Sequence, residues 1–218
     1  RAVWSRCVEG MRWDGRRCVG EALQLDHAGA LAWPAGWVTH YICLRGVLRG
    51  SSHGLAGALG AKMARPDQEV IVIVGDGSYM MMNSELATAV GMGLKITLVI
   101  TDNRGYGCIN RLQMGTGGAQ FNNLYAHTNV SPIGIDFAAH AASMGARSQK
   151  VSSISELETA LDAAREATET TVIVIDTDPY PTTGAGGYWW DVAVPEVSAR
   201  AEVNQARVAY EAALKERT

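Results

Sequence analysis

The chain has 218 residues, 47% of them hydrophobic and 19% charged, and a formal net charge of −3. That length suits one domain, or one domain with an appendage, and the apolar content is enough for a full core. The near-neutral balance and the lack of a Lys/Arg block argue against nucleic-acid binding, and no apolar run reaches the roughly 18 residues of a membrane span.

Cys7, Cys18, Cys43 and Cys108 form no CxxC pair, which predicts free thiols in a reducing, cytoplasmic setting. Residues 1–50 hold four of the six Trp, seven Arg and no Lys. They show little periodicity beyond an apolar helix over 28–38, interrupted by Pro34. This segment is set apart as divergent or non-native. A start at Arg1 rather than Met is read as a fragment or a processed chain. Residues 51–180 are assigned to an α/β domain, and 181–218 to a C-terminal extension.

The small apolar run over 55–64 predicts a helix packed closely on a sheet, ended by Arg65-Pro66-Asp67. Two β-branched runs, 70–74 and 96–101, read as buried strands flanking a helix over 83–92, which makes a βαβ crossover. Both strands end in polar clusters, Gly75-Asp76-Gly77-Ser78 and Thr101-Asp102-Asn103-Arg104-Gly105. Ligands of such sheets sit outside the carboxyl ends of the strands. Asp76 and Asn103 are 27 positions apart, so adjacent parallel strands bring both to one rim. A carboxylate, an amide oxygen and a nearby carbonyl suit a hard divalent ion such as Mg²⁺. Gly75 and Gly77 are expected to turn the backbone sharply, and the N–H groups of Gly77 and Ser78 to meet a phosphate oxygen. Alone, the first cluster is no more than a tight turn; the second cluster points to a metal-bridged diphosphate site. The EF-hand and Walker patterns do not match.

A short helix is expected over 106–112. The long Gly- and Asn-rich stretch 114–131 is placed as a loop over the site, with His127 either a substrate contact or a plain surface histidine. Next come a helix over 136–144 capped by Gly145, a strand over 147–151, and a helix opened by a capping box at Ser155-Glu156-Leu157-Glu158. A buried strand follows over 171–176. The Tyr188-Trp189-Trp190 cluster is expected either to pack on the domain or a partner, or to form a wall of the active site. A helix over 196–217 has Val203, Val208, Ala212 and Leu214 as its apolar face. The fold class is α/β, a doubly wound, mainly parallel sheet of about five strands with helices on both faces and a C-terminal helical tail.

The stretch GDGSYMMMNSELATAVGMGLKITLVITDNRGYG resembles the cofactor motif of the thiamin-diphosphate-dependent enzymes. DNRGYGCINRLQMG and GYWWDVAVPEVS are similar to the branch of that family that hydrolyses a cyclic trihydroxy dione in inositol catabolism. The resemblance implies thiamin diphosphate and Mg²⁺ as cofactors, the metal held by Asp76, Asn103 and the carbonyl of Gly105. It places Gly75, Gly77 and Ser78 at the diphosphate. It also implies that the catalytic Glu comes from a separate pyrimidine-binding domain, in cis or on another chain, usually in a homo-oligomer. No catalytic residue is identified in this chain: Glu85 is read as structural, and Cys108 as a packing or cofactor-facing residue. The Met-Gly pair usual in the family would fall on Ser51-Ser52, which does not match. The implied substrate is a cyclic dione or a 2-keto compound. A small subunit of a two-chain decarboxylase or oxidoreductase, and a non-catalytic cofactor-binding domain, are the alternatives.

Overall fold

The computed structural model describes residues 17–20, 54–128, 134–180 and 194–216. The helix over 28–38, the Ser51-Ser52 correspondence and the Tyr188-Trp189-Trp190 cluster lie outside the described residues. Five parallel strands form one sheet: β1 (Arg17–Gly20), β2 (Val70–Gly75), β3 (Thr97–Asp102), β4 (Arg147–Val151) and β5 (Thr171–Asp176). Their spatial order is β1-β2-β3-β5-β4. The backbone of β1, which no sequence pattern singled out, pairs with Val70–Ile73.

β2 and β3 are buried along their whole length, as expected for strands covered on both faces. Alternation divides their side chains between two cores. Val70, Val72, Val74, Leu98, Ile100, Val172 and Val174 face one side, packed with residues of α1 (Gly54–Ala64), α2 (Asp76–Met81), α3 (Ser84–Gly91) and α5 (Phe137–Ser143). Ile71, Ile73, Val99, Ile173 and Ile175 face the other, against Leu157, Ala160, Leu161 and Ala164 of α6 (Ile154–Glu166). The sheet is doubly wound. At its edge β4 is largely exposed, and Lys150 pairs with Asp176 at 2.9 Å; an edge lysine of this kind discourages strand addition.

Sheet and flanking helices form one compact unit. Residues 104–128, 179–180 and 194–216 fall in a second. The second unit contains α4 (Gly107–Gly115), a single 3₁₀ turn at Tyr125–His127 and α7 (Ala201–Lys215). Within it, Arg200 Nε donates to Gly117 O at 3.2 Å and the Arg207 guanidinium to Val194 O at 2.9 Å. Of the expected apolar face of the last helix, Val203 is buried and Leu214 half-buried. Val208 is 69% exposed and Ala212 is also exposed, because the hydrophobic residues do not share one helical stripe.

Two local readings change. The expected loop after β2 is a helix, α2, which begins at Asp76 directly where the strand ends. The cap of α6 lies two residues earlier than the capping box predicted. Ser153 Oγ accepts from Glu156 N at 3.2 Å, and Glu156 Oε2 accepts from Ser152 N at 2.7 Å and from Ser152 Oγ. Two serines fit the Ser-x-x-Glu pattern, Ser153 with Glu156 and Ser155 with Glu158, and the one with extended backbone, Ser153, becomes the cap. Those hydrogen bonds hold the Glu156 carboxyl below its usual range.

Two outcomes follow from this packing. Ser153→Ala should destabilise the protein by about 1 kcal/mol in urea unfolding, while Ser155→Ala should stay within about 0.5 kcal/mol. Burial pushes the Tyr79 phenol up to about 12, against about 10 in an unfolded chain. Its raised value favours the folded state fully below about pH 10, and this contribution is lost as pH rises toward 12. Denaturation midpoints across that window should fall more steeply in the native protein than in Tyr79→Phe.

Candidate functional site

The pairing of β2 with β3 decides where the two polar clusters arrive. Their register runs from Ile71↔Thr97 to Gly75↔Thr101, so both chains leave the sheet at one rim. Thr101 Oγ1 donates to Val74 O at 3.1 Å and ties the last turns of the strands together. Two residues further on, the Asn103 backbone N–H donates to Asp76 Oδ1 at 3.4 Å. Asp76 is 0% exposed and Asn103 8%. A carboxylate taken out of water to this degree is costly without compensating partners or a cation. The structure therefore brings together the two residues that the spacing singled out.

The two clusters reach the rim by different means. Gly75 sits in ordinary extended backbone (φ −72°, ψ 157°), and Gly77 is not among the residues with positive φ. The sharp glycine turn expected there is absent, because the strand runs straight into α2. No side chain caps this helix, and its first N–H groups, those of Asp76, Gly77 and Ser78, have no carbonyl of their own helix to bond. Gly75 and Gly77 are buried and Ser78 is half-buried.

The strained backbone follows the second strand instead. Arg104 has φ 65° and Gly105 φ 141°. This turn opens the second unit, where Gly105 bridges antiparallel to Leu124, Tyr106 N donates to Asn123 O at 2.6 Å and Tyr125 N to Arg104 O at 2.8 Å. A Cβ on Gly105 would lie 2.4 Å from Asn123 O. The glycine is required both by its φ and by this close approach.

The remaining candidates are less engaged. Glu85 sits in the first turn of α3, where a carboxylate complements the helix dipole. Cys108 is a half-buried thiol in no disulfide. His127 Nε2 lies 3.4 Å from the Tyr180 hydroxyl, and its Nδ1 has no hydrogen-bond partner. Sequence reasoning passed over Tyr79 and His140. Tyr79 is 1% exposed, and its hydroxyl lies 2.9 Å from His140 Nδ1. The available signal was an aromatic hydroxyl three residues past Asp76 in a run of methionines.

Among the described residues no three His, Cys, Asp or Glu side chains gather into a metal cluster. What the rim offers is one buried carboxylate, one amide and backbone groups. This hard-oxygen set fits Mg²⁺ shared with phosphate oxygens, not an ion needing a dedicated all-protein cage. No helix among the described residues is long and apolar enough to cross a membrane.

Residues 28–175 match the family described as thiamine pyrophosphate enzyme, C-terminal TPP binding domain. The chain is 43% identical over 151 residues to the 3D-(3,5/4)-trihydroxycyclohexane-1,2-dione hydrolase 2 of Bacillus cereus, a match covering 66% of this chain and 23% of that protein. It is 41% identical over 153 residues to the corresponding hydrolase of Halalkalibacterium halodurans, covering 70% and 24%. The solved thiamine diphosphate-dependent 4-hydroxybenzoylformate decarboxylase of Rhodococcus jostii is similar with a TM-score of 0.50 and 29% identity, over 58% of this chain and 23% of that one. The chain thus spans about a quarter of the length of the curated relatives it matches. With a parallel sheet whose β2 and β3 deliver Asp76 and Asn103 to one rim, and with this match, the chain belongs to the thiamine pyrophosphate enzymes and carries their C-terminal TPP-binding domain.

Proposed function

We propose that this domain grips the Mg²⁺-bridged diphosphate of thiamin diphosphate in a cytoplasmic hydrolase that opens trihydroxycyclohexane-1,2-dione by cleaving a carbon–carbon bond. The observation that carries the reading is the arrival of Asp76 and Asn103 together at the ends of β2 and β3. Asp76 and the Asn103 amide would hold the metal with the Gly105 carbonyl. Gly75, Gly77 and Ser78 would line the phosphates, the last two through the N–H groups of the first turn of α2. The cofactor, when bound, supplies the electron sink for breaking the carbon–carbon bond.

The chain's own residues bind and orient. The buried Asp76 carboxylate sets the charge that recruits the cation, and its place at the end of a fully buried strand fixes where that charge lies. The pyrimidine side of the cofactor and the catalytic Glu belong to a second domain, in cis or on another chain of a homo-oligomer. Identity of 41–43% with hydrolases of the cyclic dione supports this substrate. A 2-keto acid decarboxylase is the second reading, favoured by the likeness to the Rhodococcus enzyme. Product analysis separates them: ring opening of the dione releases an acid and no carbon dioxide.

Titration calorimetry with thiamin diphosphate and Mg²⁺ tests the site. Asp76→Ala should lose more affinity than the roughly 10–100-fold that removal of an outer-shell partner costs, whereas Cys108→Ser should bind like the native protein. Equal binding by the Asp76 variant would refute the assignment. Gly105→Ala should lower stability by roughly 1–3 kcal/mol, because a Cβ 2.4 Å from backbone Asn123 O cannot be relieved by a rotamer change. An unaltered unfolding midpoint would show that this turn tolerates a side chain.

A further inference from the structure

We propose that Tyr79 and His140 form a positioning pair that holds α2, and with it Asp76, in the orientation that receives the diphosphate and its cation. The proposal rests on the cofactor reading above and assigns a role to two residues outside the cofactor contacts. α2 has six residues and no side-chain cap, too short to be stable or well placed by its own hydrogen bonds. Of its side chains only those of Asp76 and Tyr79 are buried, while Met80 and Met81 are exposed. The two lie three residues apart, so they share a helix face: one ends at the rim, the other goes into the core.

The geometry around Tyr79 does more than fill space. Its ring stands edge-on to Phe137 (centroids 5.8 Å apart, 81°) and to His140 (5.6 Å, 90°). The hydroxyl meets His140 Nδ1 at 2.9 Å, across 61 positions of sequence. According to the histidine tautomer, the phenol either donates to Nδ1 or accepts from it. His140 sits on a helix that is itself held at several points. Asp136 Oδ1 accepts from Ala139 N at 2.9 Å, and the Ser143 hydroxyl donates to His140 O and the Ser148 hydroxyl to Ala138 O, each at 2.6 Å. A phenylalanine would fill the same core. What the hydroxyl adds is a directed bond from α2 to a fixed helix.

The test uses the intact protein, with Mg²⁺ saturating and thiamin diphosphate titrated by calorimetry, and melting measured without cofactor. Tyr79→Phe and His140→Phe should each weaken thiamin diphosphate binding roughly five- to tenfold, the effect of one lost hydrogen bond. The double variant should be no weaker than either single, as expected of two members of one interaction. His140→Asn, which keeps an amide near the position of Nδ1, should recover most of the affinity. Native affinity in Tyr79→Phe, additive losses in the double variant, or no recovery in His140→Asn would overturn the pair. If a phenylalanine variant melts early, the contrast between His140→Asn and His140→Phe decides. Binding abolished by Asp76→Ala but untouched by Tyr79→Phe sinks the pair alone. No thiamin diphosphate binding by the native protein sinks both this proposal and the cofactor reading.

Discussion

Parallel pairing of β2 with β3 is the constraint on which the candidate site depends. Register from Ile71↔Thr97 to Gly75↔Thr101 fixes two things at once. It sends the even-numbered residues of both strands to one core and the odd-numbered ones to the other. It also ends the strands level, so that Asp76 and Asn103 leave the sheet side by side. A one-residue slip would exchange the faces of every side chain on the moved strand. The hydrophobic pattern of β2 and β3 therefore guards the position of two polar residues that take no part in it.

Beyond the rim the two chains behave differently, and the contrast has a steric origin. After β2 the backbone enters a helix with ordinary dihedrals, so the glycines at 75 and 77 are not there for a left-handed turn. After β3 it passes through two residues of positive φ, one of them the non-glycine Arg104. That conformation is unfavourable for a side chain, and the bonds of residues 104 and 106 with 123 and 125 offset it. The antiparallel contact at Gly105 leaves no room for a methyl group, so the carbonyl proposed as the third metal oxygen sits on tightly determined backbone.

Much of this was legible in the chain itself. The strands over 147–151 and 171–176 coincide with β4 and β5. β5 is a β-branched run bounded by turn residues, whereas β4, with Val151 as its one β-branched residue, was legible from its place between a helix ended by Gly145 and the capping serines. The site pair was legible because 27 residues are enough for one crossover helix between two apolar strands. What the sequence hid was decided by contacts rather than by periodicity. Ser153 and Ser155 both open a capping box, and backbone conformation at Ser153 selected one. Helix α2 was hidden because Gly77 in its first turn lowers helical propensity, and burial of Tyr79 overrides that preference. Val208 and Ala212 are apolar, yet solvent reaches them.

The same override explains how a short helix can carry a demanding site. Six residues supply few internal hydrogen bonds, and nucleating a helix of that length is unfavourable. The position of α2 is therefore inherited from its surroundings: β2 holds its first residue and the core holds Tyr79. Tyr79 packs in the same cluster as Val74, Ile100 and Phe137, two of which stand on the strands that deliver Asp76 and Asn103. Close-packed interiors transmit displacement rather than absorb it, so a change in that cluster would move the carboxylate as well as loosen the core. Precision at the rim is in this sense a property of the hydrophobic face behind it. The polar residues name the chemistry, and the apolar ones set the distances at which it operates.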